Sequence, residues 1–170
     1  SNILVTPAGH VRLLDFGIAK LLDVEPLPVE QTRTGVRTFT LHYAAPEQIR
    51  GEPVTTMTDV YSLGVVLYEL LTGSKPYRLK RQTDAEWEEA ILDGEPLKPS
   101  QVAARAGEAC IRPYTPQRLS RALSGDLDNI VLKALRQRPE QSYVAAQALA
   151  QDLLSYLRGR PVVARGDRWD

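Results

Sequence analysis

The chain is poor in cysteine, histidine, methionine and phenylalanine. Its 170 residues include one cysteine, two histidines, one methionine and two phenylalanines. The single Cys110 excludes an internal disulfide and a thiolate metal cluster. A lone cysteine is most often a small, partly buried thiol, and it fits a reducing compartment.

Excess charge and long apolar runs are also missing. The 21 basic and 21 acidic residues cancel, so neither nucleic acid nor a membrane surface is expected as a partner. The longest apolar stretch, 63–71, is interrupted by Glu69 and is too short to cross a bilayer. What remains, 43% hydrophobic and 25% charged residues, is typical of one globular domain.

The first fifteen residues predict a β-hairpin. Two apolar runs, 3–5 and 11–14, flank the turn-forming segment 6–10, which contains Pro7 and Gly9. Asn2 precedes the first run and Asp15 follows the second. A hairpin therefore brings these two polar side chains to the same end, as a shared metal site requires.

The rest of the chain predicts helices separated by loops. Residues 17–43 are polar and only weakly periodic, so a long functional loop is expected, followed by a short helix over 45–50. Apolar residues on nearly every face of 58–72 predict a helix buried at the domain centre and ended by Gly73.

Further helices are expected towards the C-terminus. Thr83 and Glu86 form a capping-box pattern that predicts a helix to about Leu92. The stretch 94–125 has four prolines and predicts an irregular insertion. Helical spacing over 127–135 and 143–157 predicts two more helices, the first ended by Pro139, and 162–170 reads as the start of a linker.

An ordered set of motifs runs along these elements. Asp15-Phe16-Gly17 is followed about thirty residues later by Ala45-Pro46-Glu47, an order known from protein kinases. With the other matching segments, the chain resembles the C-terminal lobe of a serine/threonine protein kinase, and most of all the bacterial kinases of eukaryotic type. Those segments are Asn2, 43–47, 59–64, 125–135 and 159–162.

The resemblance implies a fold and a domain arrangement. The fold class is mainly α, a kinase-like C-lobe with a small β-hairpin at its N-terminal end and no N-lobe. Residues 1–160 are then a partial kinase domain, from the catalytic-loop asparagine onward, and 161–170 begin a C-terminal linker. A cytoplasmic location is expected, with a membrane anchor of the parent protein beyond residue 170 left open.

The resemblance also implies the chemistry: transfer of the ATP γ-phosphate to Ser/Thr hydroxyls of protein substrates. Asp15 would hold the Mg²⁺ (or Mn²⁺) that bridges the phosphates, and Asn2 the second ion, so both also bind the nucleotide. Carboxylate and amide oxygens are hard ligands that suit Mg²⁺. A disordered terminal residue is the alternative for Asn2.

The long loop resembles an activation segment. Arg33 and Arg37 are interleaved with three candidate phosphorylation sites, and a phosphate there could order the loop by pairing with arginine. Thr40 matches the position beside the acceptor hydroxyl, which favours serine and threonine over tyrosine. His10 and His42 are interpreted as loop or turn residues. The three candidate sites are Thr32, Thr34 and Thr38.

Three further residues carry structural roles in the family, and Gly17 completes the Asp-Phe-Gly turn. Asp59 would be a buried carboxylate that accepts hydrogen bonds from the catalytic loop, which is absent here and would leave it without partners; a helix N-terminal charge facing solvent is the alternative. Glu47 would pair with an arginine, but Ser142 stands at that arginine's position. A serine is too short to replace a guanidinium. Arg138 is therefore our hypothesis for the partner of Glu47, with Arg136 as the other option.

The catalytic aspartate is not found in the chain. In the pattern H-R-D-x-x-x-x-N it precedes the asparagine by five residues, and Asn2 leaves no room for it. No nucleotide-binding N-lobe is present either, so the isolated chain is predicted to be inactive and to need that lobe as a partner. Two alternatives stay open: a pseudokinase or interaction scaffold, and a helical domain that carries these motifs by coincidence.

Overall fold

The computed structural model describes residues 3–13, 41–105 and 115–166. The chain divides into two compact units, residues 1–33 and 34–170. The described part of the first unit is a hairpin, and that of the second is helical.

The hairpin consists of β1 (Ile3–Val5) and β2 (Val11–Leu13). The strands are antiparallel, with Ile3 opposite Leu13 and Val5 opposite Val11. The turn is closed by backbone hydrogen bonds between residues 6 and 10 and between residues 9 and 6. Its Gly9 has a φ of 80°, which a glycine adopts without the strain that a Cβ would cause. The hairpin prediction is confirmed.

The described part of the second unit contains seven α-helices and two short 3₁₀ turns, at Pro139–Gln141 and Val163–Gly166. The mainly helical class predicted from the sequence is therefore confirmed. The helices are α1 (Pro46–Arg50), α2 (Thr56–Thr72), α3 (Asp84–Asp93), α4 (Pro99–Arg105), α5 (Pro116–Leu123), α6 (Asp126–Ala134) and α7 (Ala146–Leu157).

Helix α2 ends before Gly73 as its sequence predicts, but it begins at Thr56, ahead of the predicted Thr58. Thr55 caps its N-terminus, accepting a hydrogen bond from the Met57 N–H, and Gly73 ends it in the left-handed conformation. The helix lies at the centre of the helical unit, as predicted from apolar residues on nearly every face, but one stripe of it is less buried than expected. That stripe consists of Asp59, Leu63 and Leu70, which are exposed, and the half-buried Val66; Leu63 is 42% and Leu70 70% exposed.

The stretch predicted as an irregular insertion contains two helices, α4 and α5, so that prediction is wrong. Pro99 and Pro116 each occupy a first-turn position. The N–H of a residue there has no partner within the helix, so a proline can start a helix at this point instead of breaking it. Thr115 caps α5 by accepting from the Arg118 N–H. The buried Asp128 of α6 accepts from the N–H and the hydroxyl of Ser100 and thereby caps α4.

The core of the helical unit is built around α2 and α6. Gly64 lets the two helices approach closely, since a Cβ at that position would lie 2.9 Å from the Cβ of Ala134. One large cluster contains Tyr61, Val65, Tyr68 and Trp87, and a second contains Val60, Ile130 and Tyr143. These clusters make α2 the central support of the unit.

The C-terminal helix and the tail differ from their predicted form. Helix α7 begins at Ala146, and α6 ends at Ala134, well before the predicted stop at Pro139, which opens a 3₁₀ turn instead. Val162 and Ala164 are buried, although the tail was expected to be a linker. The carboxylate of Asp152 accepts from the N–H groups of Val163 and Ala164 at 2.6 and 3.0 Å and fixes the tail.

Candidate functional site

Strand pairing brings the two ends of the hairpin together. Ile3 lies opposite Leu13, so the chain leading back to Asn2 and the chain leading on towards Asp15 leave from the same end. Asn2 and Asp15 themselves lie outside the described residues. So do Gly17, Thr40 and the three candidate phosphorylation sites Thr32, Thr34 and Thr38.

The segment 41–47, which follows Thr40 directly, is fixed to α2. Leu41 and Ala45 are buried in the larger core cluster. The Ala44 N–H closes a turn onto the Leu41 carbonyl at 3.0 Å. The hydroxyl of Ser62 in α2 donates to the backbone carbonyl of Tyr43 at 2.8 Å. The backbone is thus held on both sides of His42.

The side chain of Tyr43 adds a second attachment. Its hydroxyl donates to Oε2 of Glu69 at 2.7 Å, and Nζ of Lys75 binds the same oxygen at 2.7 Å. The Lys75 ammonium also lies 3.7 Å from the centre of the Tyr43 ring, a cation–π contact. Burial raises the pKa of Glu69, but the hydrogen bonds from Lys75 and Tyr43 outweigh it and lower that pKa overall.

His42 packs on Trp87 of α3. The two ring centres are 4.4 Å apart and the rings are tilted by 41°. Trp87 is only 5% exposed, while His42 remains partly exposed. Burial, with the nearby Lys75 charge, lowers the pKa of His42, although Asp84 and Glu69 act in the opposite direction. The neutral imidazole is therefore the favoured form at pH 7.

The partner of Glu47 is a threonine. Its buried carboxylate accepts from the Thr58 hydroxyl at 2.6 Å, and that hydroxyl accepts from the Thr55 N–H. Within the described ranges Arg138 forms no ion pair with Glu47, and its side chain is exposed. The structure thus does not bring together the pair that we hypothesised. The hydroxyl of Ser142 is buried without a described partner.

Asp59 is exposed, although the sequence led us to expect a buried carboxylate. The helix packs through its opposite face, which carries Val60, Gly64 and Tyr68, so position 59 falls on the open stripe. In the first turn of α2 a negative charge is favourable next to the helix dipole. The expected burial of Asp59 is corrected accordingly.

The attachment of segment 41–47 also uses residues that no sequence pattern could identify. Glu69, Lys75 and Trp87 lie on different elements and belong to no motif. Only the packing of α2, α3 and the loop between them brings these residues to Tyr43 and His42.

Among the described helices, none is long and apolar enough to cross a membrane.

These features agree with a comparison against protein families. The model of the protein kinase domain matches residues 1–154. The chain therefore belongs to the protein kinase domain family, and it corresponds to a C-lobe-like part of that domain.

Individual relatives come from several bacteria. The chain is 34% identical to the serine/threonine-protein kinase PknB of Mycobacterium tuberculosis, over 95% of the chain and 22% of that protein. It is 38% identical to the tyrosine-protein kinase MasK of Myxococcus xanthus, over 92% of the chain and 21% of that protein. It is 31% identical to a probable serine/threonine-protein kinase of Streptomyces coelicolor, over 96% of the chain and 21% of that protein. The chain thus spans about a fifth of the length of these relatives.

Proposed function

We propose that the chain is the C-terminal lobe of an ATP- and Mg²⁺-dependent protein serine/threonine kinase. The observation that carries the proposal is the segment 41–47, which follows Thr40 and is fixed to α2 and α3 through Ser62, Glu69 and Trp87. A rigid ledge of this kind suits a peptide substrate, because the acceptor hydroxyl has to be positioned accurately for in-line transfer.

The metal ligands in this proposal are Asp15 and Asn2. Their donor set, a carboxylate and an amide oxygen, fits Mg²⁺, which prefers hard oxygen ligands and completes its shell with water and phosphate. When bound, Mg²⁺ and ATP supply the transferable phosphoryl group and the neutralisation of its charge. The role of the protein residues is to hold and orient the reactants.

Serine and threonine are the proposed acceptors. Thr40 matches the family position that favours them, and the name of PknB describes a serine/threonine kinase. The name of MasK describes a tyrosine kinase, so tyrosine is the competing acceptor. Phosphoamino-acid analysis of the product distinguishes the two.

The chain has no candidate for the catalytic aspartate of this family. We propose that the aspartate and the N-lobe are supplied by other sequence of the parent protein and that the isolated chain is inactive. We also place the chain in the cytoplasm, because its single cysteine suits a reducing compartment.

A second candidate function is a pseudokinase or interaction scaffold. The observation in its favour is at Glu47, whose carboxylate binds Thr58 where the family pattern has an arginine. A neutral hydroxyl holds a carboxylate less strongly than a bidentate guanidinium does. The attachment of the ledge is therefore weaker at this end than in the family pattern.

The test uses the parent protein, with an assay for labelled phosphate transferred from ATP to a protein substrate. We expect incorporation on serine and threonine that Asp15→Ala abolishes. Replacement of Thr32, Thr34 and Thr38 by alanine, one at a time, should lower activity at whichever position becomes phosphorylated. Activity that survives Asp15→Ala would contradict the metal role, and no activity in the intact parent would support the scaffold.

A further inference from the structure

The two halves of the helical unit differ in charge. Residues 41–105 include seven basic and ten acidic residues, whereas residues 115–164 include seven basic and only four acidic ones. Two of those four, Asp128 and Asp152, are buried and accept hydrogen bonds from donors inside the fold. The net charge of zero, from which no membrane partner is expected, therefore averages over two regions of opposite sign.

Helix α7 ends in a turn, residues 157–163, that is fixed at both sides. The N–H of Arg160 donates to the Ser155 carbonyl of α7 at 2.9 Å. At the far side of the turn, the N–H of Val163 donates to the Asp152 carboxylate at 2.6 Å. The side chains of this C-terminal turn are therefore presented on a preformed backbone, which costs little conformational entropy when a partner binds.

The C-terminal turn exposes apolar and cationic side chains together. Leu157 is 76% and Val163 73% exposed. Arg158 and Arg160, which lie between them in the chain, are also exposed, and neither forms an ion pair within the described ranges. The helix dipole favours a cation at Arg158, but its effect ends with the last turn of the helix. It explains neither Arg160 nor the exposure of the two apolar side chains.

A third arginine comes from α5. The hydroxyl of Tyr156 in α7 donates to the backbone carbonyl of Ala122 at 3.2 Å, which places the end of α5 beside the end of α7. Arg121 precedes Ala122, is exposed and likewise forms no ion pair in the part of the chain that the structure describes. Three unpaired guanidinium groups from two elements thus share one region of the surface with exposed apolar side chains.

We propose that the C-terminal turn, with Arg121 beside it, is a contact surface for an anionic phospholipid bilayer. The arginines bind the phosphates of the lipid head groups, and Leu157 and Val163 enter the boundary between head groups and acyl chains. Arginine suits this position because its aliphatic stem can lie along apolar surface while the guanidinium stays in water. A soluble acidic peptide would pair with the arginines but would leave both apolar side chains in water. The inference goes beyond the proposed function and does not depend on it.

The test measures co-sedimentation of the 170-residue chain with large unilamellar vesicles. The vesicles consist of phosphatidylcholine alone or of an equimolar mixture of phosphatidylcholine and phosphatidylglycerol. We expect the partition coefficient to be at least about tenfold higher for the mixed vesicles, since each basic side chain near an anionic surface adds roughly fivefold. Added salt should lower it, because salt screens exposed charges.

Substitutions with matched controls locate the contact. Arg158→Gln and Arg160→Gln should each lower the partition coefficient for the mixed vesicles about fivefold, whereas Arg81→Gln removes the same charge from the exposed loop before α3 and should change it less than about twofold. Leu157→Ser should lower it at least about threefold, because the inserted side chain is lost. Leu70→Ser, at a similarly exposed position on α2, should have no such effect.

Arg160→Lys separates the lipid contact from a structural role of the guanidinium. It keeps the charge and should retain binding within about twofold. A loss as large as that caused by Arg160→Gln would contradict the electrostatic contact.

Two further outcomes would overturn the inference. One is equal binding to the two kinds of vesicle, or an equal effect of Arg81→Gln and Arg160→Gln. The other is binding of a fluorescein-labelled polyglutamate peptide that Arg158→Gln and Arg160→Gln abolish, without binding to either kind of vesicle. That result would assign the surface to an acidic protein segment instead of a bilayer.

Discussion

At Glu47 a single threonine hydroxyl donates the hydrogen bond to the carboxylate, where the family pattern has an arginine. The carboxylate is 6% exposed and binds Thr58 at 2.6 Å. A buried carboxylate is costly unless its oxygens are hydrogen-bonded. The Thr58 hydroxyl should therefore contribute more to the stability of the helical unit than a threonine in a helix usually does.

Thr58→Val should destabilise the helical unit by about 1–3 kcal/mol, because it leaves Glu47 buried without its donor. The measurement is urea unfolding followed by circular dichroism. Thr56→Val in the same helix is the matched control: the Thr56 hydroxyl donates to the Val144 carbonyl at an exposed site and should matter far less. Equal losses in the two variants would contradict the role given to Thr58.

His42 should titrate below its ordinary pKa of 6.5. The unfolded state then binds the proton first, so the free energy of unfolding falls as the pH drops from 6.5 through the lower folded pKa. Well above pH 6.5 both states are neutral and this contribution does not change with pH.

The measurement uses Trp87 as a reporter, in a Trp169→Phe background that removes the only other tryptophan. Imidazolium quenches indole fluorescence, so emission should fall on acidification with a midpoint below 6.5. His42→Gln should remove the transition. A midpoint at or above the ordinary value would show that burial and Lys75 do not dominate.

Among the helices, α2 has the largest structural role. Its buried face packs on α6 at Gly64, its first turn binds Glu47 through Thr58, and Ser62 and Glu69 further along the helix hold the ledge. One helix thus links the core to the candidate substrate site. A shift of α2 relative to α6 would move the ledge as well.

Gly64→Ala should be destabilising, because the added Cβ would lie 2.9 Å from the Cβ of the fully buried Ala134. Overpacking costs about 1–3 kcal/mol, which exceeds the gain of about 1 kcal/mol in helix propensity. Chemical denaturation measures the net loss. Ala134→Gly in the same chain should relieve the contact, and a double-mutant cycle without coupling would contradict the close approach.

The C-terminal tail depends on one carboxylate. Asp152 accepts from Tyr143, Val163 and Ala164, and asparagine would turn an N–H₂ group towards one of these donors. We expect Asp152→Asn to cost about 1–3 kcal/mol and to speed amide exchange at Val163 and Ala164. Gln151→Asn, at the exposed neighbouring position, should change neither.

At the scale of the whole molecule, the proposed function puts the ledge in this chain and the catalytic base elsewhere in the parent protein. We expect the isolated chain not to transfer phosphate from ATP to a generic protein substrate, since no residue of its sequence matches the catalytic aspartate of the family. Measured incorporation of labelled phosphate, lost on Asp15→Ala, would contradict this prediction.

Local patterns were reliable where local physics decides the outcome. The hairpin, the end of α2 at Gly73 and the presence of α3 and α6 follow from turn residues, caps and periodicity. The prediction for the proline-rich stretch 94–125 is wrong because a proline indicates a helix break unless its place in the first turn is known. Contacts between distant residues, such as Asp152 with Val163, leave no comparable local signal.

By itself, the sequence determined the helical class, the order of the motifs and the membership in the protein kinase family, because these depend on residue type and spacing. Only the tertiary structure decided that Thr58 binds Glu47, that Asp59 is exposed, and that Glu69, Lys75 and Trp87 support the ledge. These outcomes depend on which faces of α2 and α3 are packed, and packing is a property of distant residues brought together by the fold.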